Sequence, residues 1–419
     1  MAKDLLLEIG TEEMPAGDIQ IIRNNYEKLT EKMFDEKRLD YDSISVYSTP
    51  RRLTLYIEKL AEKQKDKKES VRGPSYEIAF DENNEPTKAG EGFARGQGMK
   101  VEELQIRDGY LFADKVEKGK ETTKILSELI LELIKSLSFP KAMRWGNIDF
   151  KFIRPIKWIL TLFGDEPIEF NIAGVKSQSF SYGHRFLTED KIEINNAKNY
   201  FDILKDNYII VEQNKRKNMI IDQIKNIDKN NSKAVLLDDL LAEVVELVEY
   251  PTAFCGNFSE KYLELPEDVL ITSMVEHQRY FPVSKESGEL NNIFIGVRDG
   301  NEDYIDEVIK GNEMVLEARL ADAQFFFEED QKEDFLNKKE ELKEVVFKEN
   351  LGSMYDKVER LKELSEYIAK TINLKNKNTE KIIRAAELSK NDLLTEMVNE
   401  FAKLEGIMGA EYALIEGED

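Results

Sequence analysis

The apolar residues of this chain change their period partway along it, and that change limits the fold more than any single motif does. Up to about residue 190, stretches of period two are visible: Leu53, Leu55 and Ile57 alternate with Thr54, Tyr56 and Glu58, and Ile168, Phe170 and Ile172 alternate with polar neighbours after Pro167. Successive strand residues point to opposite faces, so this pattern predicts half-buried strands. Among them, Ile125, Leu126, Leu129, Ile130, Leu133, Ile134 and Leu137 recur at helical spacing behind the cap candidates Thr122 and Thr123, with Pro140 as a stop. From about 194 to 345 the helical period dominates, predicting helices over 213–229, 235–249, 266–278 and 302–332, with short strands at 208–211 and 293–297. A charged stretch after Glu328 leads into a region that reads as wholly helical from about 345. The segments 59–70, nearly all charged, and 81–98, dense in turn residues, read as loops. The expected class is α+β: a mixed α/β region over 1–190, a helix-rich α/β region over 191–344 and an all-α region over 345–419.

Composition narrows the function. The chain has 419 residues, 41% of them hydrophobic, enough for real cores in about three domains. Its 60 Lys and Arg against 83 Asp and Glu give a net charge of -23. A uniformly basic surface for coating nucleic acid is excluded, and any RNA contact must be local. A single cysteine, Cys255, cannot form an internal disulfide, and no CxxC pair or Cys/His cluster is present for zinc. The start, MAKDLLLEIGTEEMP, is interrupted by Glu8, unlike a signal peptide, and the apolar run 158–163 is short and bracketed by Lys157 and Asp165. A reduced, cytoplasmic chain without a membrane span is expected.

Chemistry-bearing residues are sparse. The histidines are His184 and His277, so a histidine base or metal centre would need one of them plus carboxylates. Glu276-His277 lacks the second histidine of a zinc helix, and its neighbours Tyr280 and Phe281 favour a packing or surface role. His184, beside Arg185 in SYGHRF, is expected in a polar structural role. In AGEGFARGQG (89–98), glycines flank Phe93 and Arg95, but the spacing is neither that of a dinucleotide-binding turn nor that of a P-loop. Glycine-requiring turn geometry and an RNA-backbone contact by Arg95 both remain open.

Residues 140–158, PKAMRWGNIDFKFIRPIKW, are the one basic stretch that stands out. Lys141, Arg144, Lys151, Arg154 and Lys157 face a single acid, Asp149, and both tryptophans, Trp145 and Trp158, lie there with Phe150 and Phe152. Cations neutralise phosphates and aromatic faces stack on unpaired bases, so the stretch is a candidate RNA contact; core aromatics with a solvated cationic face are the plainer alternative. In STPRRLTLYI (48–57), Arg51 and Arg52 stand at a strand entrance, and alternation predicts at most one of them buried in a pair, the other being available to a partner. In 311–330, Glu313, Glu317, Arg319 and Asp322 lie among apolar residues at helical spacing, which ion pairs explain without catalysis.

These segments together resemble the beta subunit of bacterial heterotetrameric glycyl-tRNA synthetases. The resemblance is carried by LLLEIGTEEMPA (5–16), TPRRL (49–53), GFARGQG (92–98), PKAMRWG (140–146), YGHRF (182–186), VELVEYPTAFCGNF (245–258), SMVEHQRYF (273–281), GNEMVLEARLADAQFF (311–326) and AELSKNDLLTEMVNEFAKLEGIMG (386–409). It implies that ATP, Mg and glycine activation belong to an alpha subunit in an alpha2beta2 assembly, and that this chain, with no cofactor of its own, positions tRNA(Gly). It further implies an editing-type module like that of the phenylalanyl-tRNA synthetase beta subunit in the N-terminal part, and an HD-like helical domain from about 345. There Asn391-Asp392 stands where hydrolytic relatives carry a His-Asp pair, so a metal-free region is expected. The family's beta subunit is longer and ends in an anticodon-binding domain, expected to be missing here. The residues assigned to tRNA are Lys141, Arg144, Trp145, Lys151, Arg154, Lys157, Arg51 and Arg95, with no catalytic residue. The alternatives are an acidic helical adaptor and an HD-type metal phosphohydrolase.

Overall fold

The computed structural model describes residues 2–188, 190–227 and 232–418. The chain forms two compact units, Met1–Gln213 and Asn214–Asp419, both mixing helix and sheet in keeping with the α+β class.

The first unit opens with β1 (Ala2–Thr11), α1 (Ala16–Glu36), β2 (Ser43–Thr49) and β3 (Arg52–Ala61). β1 is buried on both faces. Leu5, Leu7 and Ile9 meet Leu53, Leu55, Ile57 and the Ile19, Ile22, Tyr26 and Phe34 side of α1, whereas Leu6 joins Tyr56, Leu160 and Leu162 on the other face. The expected half-buried alternation at 53–58 therefore fails. Thr54 and Tyr56 are buried as well, because a sheet covered on both sides leaves no solvent face.

The chain then makes an excursion: β4 (Lys67–Ser75), α2 (Tyr76–Ala79), α3 (Lys88–Gln97), β5 (Gln105–Arg107) and β6 (Tyr110–Glu117). Its sheet, in the order β4-β6-β5, has its own small core of Ala79, Ala94, Leu104, Leu111 and Ala113. Both loop expectations are corrected here. Residues 59–70 end one strand and begin another, held by main-chain pairing with β6 while the charged side chains stay in water. Residues 88–97 are helical, because Thr87 accepts the N–H groups of Ala89 and Gly90 at one end and Gly98, at φ 68°, closes the other.

The predicted amphipathic helix is α4 (Thr123–Ser136), burying Leu126, Leu129, Ile130, Leu133 and Ile134. Thr122 does not cap it, since its hydroxyl donates to the Ala61 carbonyl at 2.5 Å. After β7 (Ile156–Phe163), the short β8 (Glu166–Pro167), β9 (Asn171–Ile172) and β10 (Val175–Gln178) complete a sheet in the order β2-β3-β1-β7-β10-β9, with β8 on β7. The alternation at 168–172 marks burial but not one strand: the Phe170 N–H donates to the Ser177 hydroxyl, which interrupts the ladder. β11 (Phe180–Tyr182), β12 (Lys191–Glu193) and α5 (Tyr200–Asp206) cover the second face. The strand expected at 208–211 is absent. Tyr208, at φ 59°, and the Ile209 N–H bonded to the Leu204 carbonyl turn the chain off the end of α5.

The second unit comprises α6 (Gln213–Ile227), β13 (Ser232–Ala234), α7 (Asp238–Val245), β14 (Pro251–Asn257), α8 (Glu267–Thr272) with a π-helical turn over Ser273–His277, β15 (Phe281–Lys285), β16 (Leu290–Asp299) and α9 (Ile305–Asp330). A hairpin of β17 (Val346–Lys348) and β18 (Gly352–Ser353) then precedes α10 (Met354–Thr371), α11 (Asn376–Leu388), α12 (Glu396–Glu400) and α13 (Ile407–Ile415). The hairpin departs from the wholly helical expectation. The antiparallel sheet β13-β15-β16-β14 carries α6 and α7 on one core; a second core joins Phe254 and Phe294 to Leu316 and Leu320 of α9 and to Met397, Phe401, Met408 and Tyr412. No helix among the described residues is long and apolar enough to cross a membrane.

Candidate functional site

Glu8 of β1 lies deep in the first unit. Glu8 and Arg52 are both 0% exposed, with Arg52 Nε 3.6 Å from a Glu8 oxygen. Glu8 also accepts the Ser181 hydroxyl at 2.5 Å, the Trp158 indole N–H and the Tyr200 hydroxyl. Burial, reinforced by the Glu8 charge, pushes the Tyr200 phenol well above its ordinary pKa. Arg52 donates to the Tyr182 carbonyl and lies over the Trp158 ring, 5.2 Å from its centroid. Further hydrogen bonds on both partners offset the cost of burying such a pair. The consequence is positional: Trp158 on β7 and Tyr182 on β11 are fixed relative to β1 and β3. Gly10 completes the fit, since a Cβ there would fall 1.9 Å from the Trp158 ring.

On this support sits a cleft of about 400 Å³, lined by Arg51, Lys157, Trp158, Tyr182, Gly183, Arg185 and Thr188. Two acids that follow β1 hold its cations. Lys157 pairs with Glu12 at 2.8 Å, and Arg185 bridges Glu12 at 2.9 Å and Glu13 at 3.0 Å. The Lys157 hydrogen bond is the main cause of a Glu12 carboxyl held below its usual pKa. Arg51 donates to the Gly183 carbonyl at 3.0 Å. Among the described residues, Arg51, Lys157 and Arg185 converge on this cleft in a strongly acidic chain, with Glu12 and Glu13 as the acids that hold Lys157 and Arg185. Exposed pairs of this kind are worth only about 0–1 kcal/mol, so an incoming phosphate can take over Lys157 and Arg185 at small cost.

The cleft brings together Arg51 and Lys157 of the residues predicted from sequence, with Arg154 alongside, donating to the Glu13 carbonyl at 2.9 Å. The expectation that only one of Arg51 and Arg52 is buried is overturned: Arg51 is 8% exposed. It lies in the turn before β3 and escapes strand alternation. Lys141, Arg144 and Lys151 are exposed on the irregular segment 137–155, apart from the cleft lining, with Arg144 paired to Asp149 at 3.0 Å. Trp145 is half-buried and edge-on to Phe150 at 6.3 Å, against the core, and Arg95 is exposed on α3. Sequence reasoning missed Arg185, Glu12 and Glu13. The acid pair in TEEMP, directly after a strand, was the available signal.

His184 is buried beside the cleft, its Nδ1 accepting the Phe186 N–H at 3.3 Å. In the second unit His277 stands edge-on to Phe401, with Arg319 Nη2 2.9 Å from its Nδ1; burial first and Arg319 second hold its pKa below the ordinary value. Asn391 and Asp392 are fully buried: Asn391 donates to the Phe335 carbonyl and Asp392 accepts the Gly406 N–H.

The family model described as glycyl-tRNA synthetase beta subunit matches residues 5–419. The chain is 56% identical over 419 residues to the glycine–tRNA ligase beta subunit of Halothermothrix orenii, covering all of this chain and 61% of that protein. It is 48% identical over 423 residues to the one of Desulforudis audaxviator and 47% over 428 residues to that of Clostridioides difficile, again over all of this chain and 62% and 61% of those proteins. The chain thus spans about three fifths of the length of these relatives. A match of this extent, running through the strand, turn and helix segments that build both units, leaves one assignment: the chain belongs to the glycyl-tRNA synthetase beta subunit family.

Proposed function

We propose that this chain binds and positions tRNA(Gly) for ATP-dependent glycylation at the active site of an alpha subunit. In this reading the alpha subunit, with ATP and Mg, forms glycyl-adenylate and releases pyrophosphate; glycine then passes to the tRNA 3′ end and AMP leaves. The assembly is alpha2beta2 and cytoplasmic. The N-terminal mixed region over 1–190 contains the editing-type module, 191–344 is a helix-rich α/β region, and the HD-like region begins at about 345. The observation that carries the reading is the convergence of Arg51, Lys157 and Arg185 on one cleft in a family member whose net charge is -23. Phosphate attraction is concentrated there, while the acidic remainder repels other approaches. Lys141, Arg144, Lys151, Arg154 and Arg95 are further phosphate contacts in this reading, and the half-buried Trp145 is its stacking partner for an unpaired base.

The test is retardation of tRNA(Gly) between about 50 and 200 mM salt, where each lost phosphate contact lowers the salt slope by about one. Lys157→Ala with Arg185→Ala is expected to weaken binding and flatten the slope by about two. An unchanged slope rejects the cleft. Glycylation by an alpha subunit that rises on adding the chain supports the subunit role; no rise, beside an active full-length control, rejects the sufficiency of this chain.

A further inference from the structure

The helix α9 has two apolar faces. One is buried, with Leu316, Leu320 and Ala323 in the core shared with Phe254 and Met397. The other faces water: Gly311, Met314, Ala318, Ala321 and Phe325 are all exposed, Met314 by 72% and Phe325 by 56%. They are spaced alternately three and four residues apart, the period of a seam on which a second helix packs knobs into holes. Small residues between two large ones form a hollow that accepts bulky side chains.

Folding of the second unit does not account for this face. Gly311 lies inside a 26-residue helix, where glycine is disfavoured relative to alanine, and a Cβ built there meets nothing within 4 Å. No neighbour requires its smallness. Met314, Val315 and Phe325 place large apolar groups where a surface helix ordinarily presents polar ones.

We infer that this face docks a helix of a second, non-identical polypeptide, bearing bulky aliphatic side chains flanked by lysine or arginine. Charge selects this occupant. The exposed charges of α9 are Asp306, Glu307, Asp322 and Glu328 against Lys310. A second copy would set acid against acid in a chain of net charge -23, and RNA phosphates would meet the same repulsion. The inference deepens the proposed function and rests on it: in a synthetase built from two kinds of subunit, the alpha subunit supplies that helix.

The experiment titrates purified alpha subunit against the wild-type chain and its Gly311→Leu and Ala318→Glu variants, with melting temperature and tRNA(Gly) retardation followed on the same proteins. Both positions are exposed, so retardation is expected to match wild type and melting not to fall, rising slightly in Gly311→Leu through helix propensity, while alpha-subunit affinity falls at least about tenfold. Unaltered alpha-subunit affinity in both variants overturns the seam and leaves the tRNA reading intact. A wild-type chain that binds no alpha subunit overturns the subunit reading and the seam together. Seam-dependent binding by a chain that retards no tRNA keeps the surface and overturns the tRNA role instead.

Discussion

Two buried carboxylates, Glu8 in the first unit and Asp330 in the second, are satisfied by opposite means. Glu8 in the first unit has a buried cation, Arg52, plus three side-chain donors. Asp330 in the second instead accepts the main-chain N–H groups of Glu396 and Met397 at 2.9 and 3.0 Å and the Tyr412 hydroxyl at 2.8 Å. The first arrangement fixes the indole and carbonyl that wall a cleft. The second ties the end of α9 to α12 and α13, which is a packing role. A buried charge paired with another charge is the costlier arrangement; the Glu8–Arg52 pair lies beneath the candidate site, whereas the second unit's buried Arg216–Glu246 pair, at 3.5 Å, ties α6 to the end of α7.

Removing one partner separates the two cases. Arg52→Met leaves Glu8 charged and unpaired, and is expected to cost about 3–5 kcal/mol, with the double Glu8→Gln/Arg52→Met variant costing much less than the sum of the singles. Asp330→Asn orphans no cation and keeps an acceptor, so its expected cost is about 1–3 kcal/mol. Both tryptophans lie in the first unit. Urea unfolding followed by tryptophan emission therefore reads the first change directly, and equal losses for Arg52→Met and Asp330→Asn in that signal would erase the distinction.

Gly10 sharpens the same contrast. Its missing side chain is demanded by Trp158, which Glu8 holds in place, so Gly10→Ala forces the ring or the strand to move, at about 1–3 kcal/mol. A shifted tryptophan emission and a weakened tRNA affinity are the expected readouts. Unchanged emission and affinity would mean that the indole is not fixed as described.

This dependence on partners distant in sequence explains how far the sequence could be read. Helix α4 and most of α9 were legible because their apolar period is local. The strands at 67–75 were not, since their charged side chains advertise solvent while pairing with β6 supplies the order. Helix α3 was missed because its glycines resemble a loop until Thr87 and Gly98 are seen to cap it. Arg51 and Lys157 were named as candidates, yet their convergence was invisible. The acids that anchor the cleft, Glu12 and Glu13, lie more than 140 residues before Lys157 and Arg185; the β1 to β7 register brings Lys157 to them, and the segment after β11 brings Arg185.

The second unit also carries a partly exposed charge network around α11, and acid is the tool that probes it. Glu387 on α11 accepts hydrogen bonds from Lys362, Arg384 and Lys339, and the Lys362 bond leads the causes that hold its carboxyl down at about 2 from an ordinary 4.5. A depressed carboxylate stabilises the fold above its unfolded pKa, and that contribution is lost as pH falls through the folded value. The window is therefore from about 4.5 down to about 2. Solvent screening keeps the contribution to about 1 kcal/mol. Glu387→Gln should flatten the acid dependence of stability in that window and leave tryptophan emission unaltered; a profile as steep as wild type would remove Glu387 from the account.

The smallest effect has the opposite sign and turns on the other glycine. Gly311 is inside α9 with open space where its Cβ would be, so Gly311→Ala should raise the stability of the second unit by about 0.5–1 kcal/mol through helix propensity alone. Gly10→Ala lowers stability because a neighbour in its own unit occupies the space; Gly311→Ala raises it because none does. A chain that keeps a glycine against its own folding preference keeps it for something outside the described residues, and that is the argument for a docked helix reduced to one methyl group. Thermal melting of the isolated chain checks the gain. A loss of stability in Gly311→Ala would show that the second unit itself needs the glycine, and the reasoning from its smallness to a partner would fall.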